Sequence, residues 1–231
     1  MIEDPPKLTI HSRGKRPSKD ILAVFNNAQT GHVVDAMDGR GAFDSTIQVL
    51  AGIPPSKASV TGIALTCWTG PDDNLALIAA LDEAEEGDIV VAATDAFRGA
   101  AVAGDMVCGM LRNRGVVAFV SDGMVRDSAG ILATGLPVFS AGVISNSPAR
   151  NGPGIVGAPI TVGGVSLSTN DIVVCDFDGA VVVPLDQAEQ VAGRLEEIRK
   201  IEAELELKIK SGLGVPDFYN EMKNSGDIRR L

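Results

Sequence analysis

Twenty residues, Met106 to Val125, separate Asp105 from the pair Arg126-Asp127, and their patterning turns the chain back on itself. From about Ala103 to Asn113 the apolar residues Val107, Met110 and Leu111 recur at helical spacing, and Gly115 is a stop. Val116 to Val120 is a β-branched apolar run that suits a buried strand. A helix of about 11 residues rises about 16 Å. A strand of about six residues returns about 20 Å. The two ends of the segment are therefore predicted to meet.

Their chemistry is complementary. A helix N-terminus offers unpaired amides to an anion. Arg126 can grip a carboxylate with two parallel hydrogen bonds. Asp105 and Asp127 are hard oxygen ligands of the kind Mg²⁺ or Mn²⁺ takes, with water completing the shell. The same spacing also suits an acid at a helix N-terminus beside a surface ion pair.

Composition narrows the remaining classes. A chain of 231 residues, 45% of them hydrophobic, can bury a sizeable single core. Its net charge of −10 and the lack of a long basic run argue against nucleic-acid binding. No apolar stretch approaches the roughly 20 residues of a membrane span. Met1 to Asp20 is charged and lacks the apolar centre of a signal peptide, so a cytoplasmic protein is expected. Cys67, Cys108 and Cys175 form no Cys-x-x-Cys, and their odd number gives no disulfide framework. His11 and His32 stand apart, which disfavours zinc, and no Gly-x-Ser-x-Gly elbow accompanies them.

Along the chain, residues 1–20 read as a loose arm rich in Lys, Arg and Pro, ahead of one domain over residues 21–231. A helical stretch around Val33 to Met37 precedes a strand from Ser59 to Trp68. Asp72-Asp73-Asn74 caps a helix from Leu75 to Ala84, with a site role for Asn74 as the lesser alternative. Ile89 to Ala93 is a strand, and Leu136 to Ile144 holds further strand segments. Ser145 to Gly157 reads as a loop whose Arg150 is a solvated loop arginine or, as the lesser alternative, a lid or substrate contact. Three short strands follow, over 159–165, 172–176 and 180–184. From Asp186 to Lys210, Val191, Leu195, Ile198, Ile201, Leu205 and Ile209 make one helical stripe for packing on this domain, on a neighbour, or on both.

No lysine falls between residues 58 and 199. A Schiff-base lysine needs a desolvated place in the core, so carbon–carbon bond chemistry on a keto acid here would require a metal as electron sink. The gap also removes any Walker-type phosphate lysine.

Gly99, Gly104-Asp105 and Arg126-Asp127, spaced by four and by twenty residues, resemble the signature of the class II pyruvate aldolases. Those enzymes act on 4-hydroxy-4-methyl-2-oxoglutarate and 4-carboxy-4-hydroxy-2-oxoadipate, and share a fold with the regulator of RNase E activity. Val116 to Asp127, Leu136 to Phe139, Gly163 to Val165 and Asp176 to Pro184 fit as well, so the likeness runs from about Gly31 to Leu205. It implies an α/β fold, a ββα sandwich of the swivelling-domain (RraA-like) type with a long C-terminal helix. It implies retro-aldol cleavage of a 4-hydroxy-2-oxo acid to pyruvate, with oxaloacetate decarboxylation alongside. By position, Asp127 ligates Mg²⁺ or Mn²⁺ and Arg126 holds the pyruvate moiety. The amides of Met106 and Val107, after Gly104, receive its carboxylate, and Asp105 hydrogen-bonds water in the cation's shell. A C-terminal glutamate from an adjacent subunit completes the site; Glu202 is the first candidate, with Glu197, Glu204 and Glu206 competing. The implied assembly is a homotrimer or a hexamer of trimers. The alternative is a non-catalytic regulator that binds a ribonuclease, a class that lacks the aspartate equivalent to Asp127.

Overall fold

β-branched runs that are apolar on both faces form the frame. The computed structural model describes residues 6–53 and 59–229. Its first half contains β1 (Leu8–Ile10), α1 (Lys19–Val24), α2 (Thr30–Ala36), β2 (Gln48–Ala51), β3 (Val60–Trp68), α3 (Leu75–Glu83), β4 (Asp88–Ala93), β5 (Ala101–Ala103) and α4 (Asp105–Asn113). Then come β6 (Ala118–Ser121), β7 (Met124–Val125), α5 (Ser128–Thr134), β8 (Val138–Ser140), β9 (Gly154–Val156), β10 (Ile160–Val162) and β11 (Val165–Leu167). The chain finishes with β12 (Ile172–Asp176), β13 (Gly179–Val183), α6 (Ala188–Lys210) and α7 (Asp217–Ser225).

The central strands β3, β4, β6 and β8 run parallel, and β2 adds an antiparallel edge. On the other side of β3, β9 pairs with its C-terminal end and β12 with its N-terminal end. Alternation distributes the side chains. Leu65, Cys67, Val90 and Ala92 face α3, α4 and α5, while Ala64, Ile89, Val91 and Ala93 face the layer that includes β10 and β11. A third cluster packs α2 and the start of α6 on β12 and β13. This is the mixed α/β architecture expected, with its long C-terminal helix.

Several local expectations change. The loose arm of residues 1–20 does not describe residues 8–18. β1 pairs in parallel with β9, and Ser18 Oγ caps α1 by accepting from Ile21 N at 3.2 Å. Arg13 grips the fully buried Asp88 with both terminal nitrogens, at 2.6 and 3.0 Å, and Arg16 reaches it at 2.9 Å. A carboxylate at the start of a central strand needs such compensation; the N-terminal segment supplies the two guanidiniums, and Glu85 N adds a hydrogen bond to Asp88 Oδ2 at 2.9 Å. Residues 1–5 lie outside the described residues. Replacing Arg13 with Ala is expected to cost about 3 kcal/mol in urea unfolding, the low end for a broken buried pair because Arg16 remains.

The segment 145–157 is not purely a loop, since its end is β9. The helix α5 is too short to show periodicity; it is bounded by Asp127 and Gly135, both in the left-handed region. The stripe on α6 divides. Val191 and Leu195 are buried, whereas Ile201 and Ile209 are 64% and 55% exposed. No described helix is long and apolar enough to cross a membrane.

Candidate functional site

The twenty-residue excursion closes as its length predicts, but a pairing the sequence did not signal makes the closure. Ala101 and Ala103 of β5 lie in parallel register with Met124 and Val125 of β7, and Arg126 N donates to Ala103 O at 3.0 Å. Helix α4 then begins at Asp105, two residues later than the apolar periodicity suggests, because Gly104 is still extended. That glycine is a close-approach point. A Cβ there would stand 2.9 Å from Asp127 Oδ2 and 3.2 Å from Arg126 Cγ, so both side chains lie over bare backbone. Gly104→Ala keeps an allowed backbone conformation (φ −137°), and it is expected to lower activity about tenfold or more by displacing the pair. An unchanged melting temperature alongside that loss would separate misplacement from unfolding.

Arg126 and Asp127 are each about half-exposed and hold one another. Arg126 Nε lies 3.2 Å from Asp127 Oδ2, and Arg126 Nη1 donates to Ser147 Oγ at 2.6 Å. Asp127 adopts φ 58°, ψ 44°. Asp and Asn enter that region more readily than other residues with a Cβ. Although Asp127 occupies the cap position of α5, its side chain makes no cap bond. Its carboxylate is thus not committed to the helix. Asp105 Oδ1 accepts from Met106 N at 2.7 Å. The Met106 amide, expected to face an incoming carboxylate, is here engaged by the neighbouring side chain. The first backbone bond of α4 is from Cys108 N to Gly104 O, so the amide of Val107 precedes the helical ladder.

Two further contributors carry no local sequence signal. Gly130 of α5 packs directly on Asp105: a Cβ there would collide with Asp105 Oδ2 and lie 2.6 Å from its Cβ. Ser147, the partner of Arg126, sits in the Pro- and Gly-rich segment, where no local pattern marks it. Asn74, given the lesser site role above, does not cap α3; Asp73 Oδ1 does, accepting from Leu75 N at 2.7 Å. Instead Asn74 Nδ2 donates to Val102 O at 3.1 Å, and its buried Oδ1 has no partner among the described residues.

These groups enclose a cavity of about 140 Å³ lined by Asn74, residues 101–107, Arg126, Asp127, Pro148 and Arg150. At roughly 30 Å³ per liquid water it has room for about five, the scale of a small acid. Among the described residues no three His, Cys, Asp or Glu side chains cluster to hold a metal. The carboxylates at the cavity are Asp127 and Asp105, which fit a cation that keeps most of its water. Glu202 does not line the cavity. It is exposed on the distal half of α6, whose proximal half packs on β12 and β13. The thiols of Cys67 and Cys108 are buried and pushed up to about 12, and burial raises Cys175 as well. None is a thiolate nucleophile near neutral pH.

A mixed α/β frame thus places a helix start, Arg126 and two carboxylates, all from one βαβ excursion, around a small cavity. The chain belongs to the RraA-like family: the Aldolase/RraA family model matches residues 30–182, which include Asp105, Arg126 and Asp127 but not Glu202. A protein of Halalkalibacterium halodurans, named "Putative 4-hydroxy-4-methyl-2-oxoglutarate aldolase", is 34% identical over 189 residues, which is 82% of this chain and 87% of that protein. Among solved structures, RraAS2 of Streptomyces coelicolor, described as an unusual member of the RNase ES inhibitor RraA protein family, superposes with a TM-score of 0.74. It is 25% identical, with 84% of this chain and 100% of that one covered. An uncharacterized protein of Pseudomonas syringae shares the fold with a TM-score of 0.75 at 24% identity, over 86% of this chain and 96% of its own.

Proposed function

We propose that this chain is a divalent-metal-dependent lyase that cleaves a 4-hydroxy-2-oxo acid of the 4-hydroxy-4-methyl-2-oxoglutarate type to pyruvate and a second keto acid. The observation that carries this reading is the Arg126-Asp127 pair held over the bare backbone of Gly104, beside Asp105 at the start of α4. The aldolase name of the Halalkalibacterium relative supports it. Asp127, with its side chain uncommitted to capping, would hold Mg²⁺ or Mn²⁺, and Asp105 would orient water around it. When bound, such a cation supplies Lewis-acid polarisation of the 2-oxo group.

The chain's own residues do the rest. Arg126 receives the substrate's carboxylate with the face of its guanidinium not engaged by Ser147 and Asp127. The amide of Val107 and the positive end of α4 add to that attraction. Asp105 takes up the C4 hydroxyl proton through an intervening water, and the C3–C4 bond breaks. The electron pair passes into the pyruvate enolate, whose charge faces Arg126. Protonation at C3 releases pyruvate. Oxaloacetate decarboxylation passes through the same enolate and is expected as a side reaction.

The site is completed, on this reading, by Glu202 of a second copy in a homotrimer or a hexamer of trimers. The exposed Ile201, Leu205 and Ile209, four residues apart on one face of α6 beside it, support such a contact, because apolar residues of this size rarely cluster on a free surface. Light scattering is expected to give three or six chain masses, and Ile201→Glu to lower both mass and activity. A monomer with full activity would remove Glu202 from the site.

The test of the whole reading is pyruvate release after metal stripping, with Mg²⁺ or Mn²⁺ restored, from 4-hydroxy-4-methyl-2-oxoglutarate and oxaloacetate. Metal-restored turnover supports the lyase, and the ratio of the rates ranks cleavage against decarboxylation. No release from either would shift the weight to a ribonuclease-binding role like that in the description of the Streptomyces protein.

A further inference from the structure

The cavity holds two guanidiniums, and only one is neutralised. Arg126 has Asp127 at 3.2 Å. Arg150 lines the same cavity, yet enters no ion pair and no side-chain hydrogen bond among the described residues. In a chain of net charge −10, an uncompensated cation beside a cavity is a standing attraction for an anion.

The backbone that carries Arg150 is held on both sides. Ala149 N donates to Asp72 O at 2.8 Å, and Asn74 N donates to Ala149 O at 3.1 Å. Just beyond Arg150, the amides of Asn151 and Gly152 both donate to Asp73 Oδ2, at 2.6 and 3.1 Å. Asp73 is itself buried and spends its other oxygen on the start of α3. The segment therefore presents its arginine from a fixed base, which lowers the ordering cost when a ligand arrives.

We infer that Arg150 is the receptor for the distal carboxylate of a dicarboxylic 2-oxo acid, and so selects dicarboxylic over monocarboxylic substrates. This assignment rests on the keto-acid reading above. Arg126 takes the carboxylate next to the 2-oxo group, and Arg150 takes the one at the other end of a chain short enough for a cavity of about 140 Å³. A monocarboxylic acid would leave the Arg150 guanidinium without a partner and gain nothing from it.

The experiment is calorimetric binding at saturating Mg²⁺ of 2-oxoglutarate and 2-oxopentanoate, two five-carbon acids that lack the C4 hydroxyl and are not cleaved. Wild type and Arg150→Gln are compared, with equal melting temperatures as the check on folding. The wild type is expected to bind 2-oxoglutarate about 10- to 100-fold more tightly, the range for a charge-assisted contact. Arg150→Gln is expected to lose that preference while its affinity for 2-oxopentanoate stays within about threefold. Equal affinity of the wild type for both acids, or an equal loss on both in the variant, would overturn the assignment. Pyruvate release by the wild type from 4-hydroxy-4-methyl-2-oxoglutarate separates the two levels. Cleavage without the binding preference removes only the role of Arg150, whereas no cleavage and no binding of either acid removes the keto-acid reading and this one with it.

Discussion

Asp127→Asn is expected to reduce metal-dependent pyruvate release by about a thousandfold or more, with little change in stability. Asparagine is the informative substitution because the residue sits at φ 58°, ψ 44°. Asn tolerates that conformation nearly as well as Asp, whereas Ala adds strain there. The amide also preserves the shape that packs over Gly104 and can still accept from Arg126 Nε. Only the negative charge is lost. A cation held by one or two carboxylates and water depends heavily on each charge. The diagnostic pair of measurements is turnover against Mg²⁺ concentration and the melting temperature with and without Mg²⁺. Wild-type turnover by Asp127→Asn at saturating Mg²⁺ would show that the carboxylate is not the metal ligand.

Arg126→Lys is expected to lower kcat about 100-fold, the size seen when one donor to a developing oxyanion is removed. The charge survives this change, so a site needing only a positive point would keep most of its rate. Geometry makes the difference. Arg126 spends Nε on Asp127 and Nη1 on Ser147 while retaining further donors for the substrate. A lysine ammonium has three donors on one atom and cannot span these directions at once. Exchange of the pyruvate methyl protons with deuterated water, followed by NMR, reports enolate formation without aldol cleavage. A matching loss in exchange and cleavage would place Arg126 at the enolate. A loss in cleavage alone would move it to the other half of the substrate.

The parts of the fold that were legible in the sequence are those whose pattern lies within one element. Val60 to Trp68 and Ile89 to Ala93 are apolar on both faces and became the buried parallel strands β3 and β4. The stop at Gly115 and the spacing of Val107 and Leu111 located α4 to within two residues. Asp105, Arg126 and Asp127 were legible as chemistry, and the excursion between them was long enough to return. Elements that gain their stability from distant partners left no such trace. β1 and β9 have three residues each and lie far apart in sequence, so neither has a readable period. Helix α5, with seven residues, is set by left-handed conformations at both ends.

The same division runs through the site. The sequence by itself determined which groups are available: Asp105 at one end of a βαβ excursion, Arg126-Asp127 at the other, and no lysine between residues 58 and 199. Those are matters of composition and local spacing. Tertiary structure decided what each group touches. It seated Gly104 under the Arg126-Asp127 pair, turned Asp105 onto its own Met106 amide against Gly130, and brought Ser147 to Arg126. Through Asp73 it tied down the segment carrying Arg150, and through Asp88 it anchored the N-terminal segment. Each of these contacts joins residues whose local patterns are independent, and a buried carboxylate shows its partners only when the chain has folded around it.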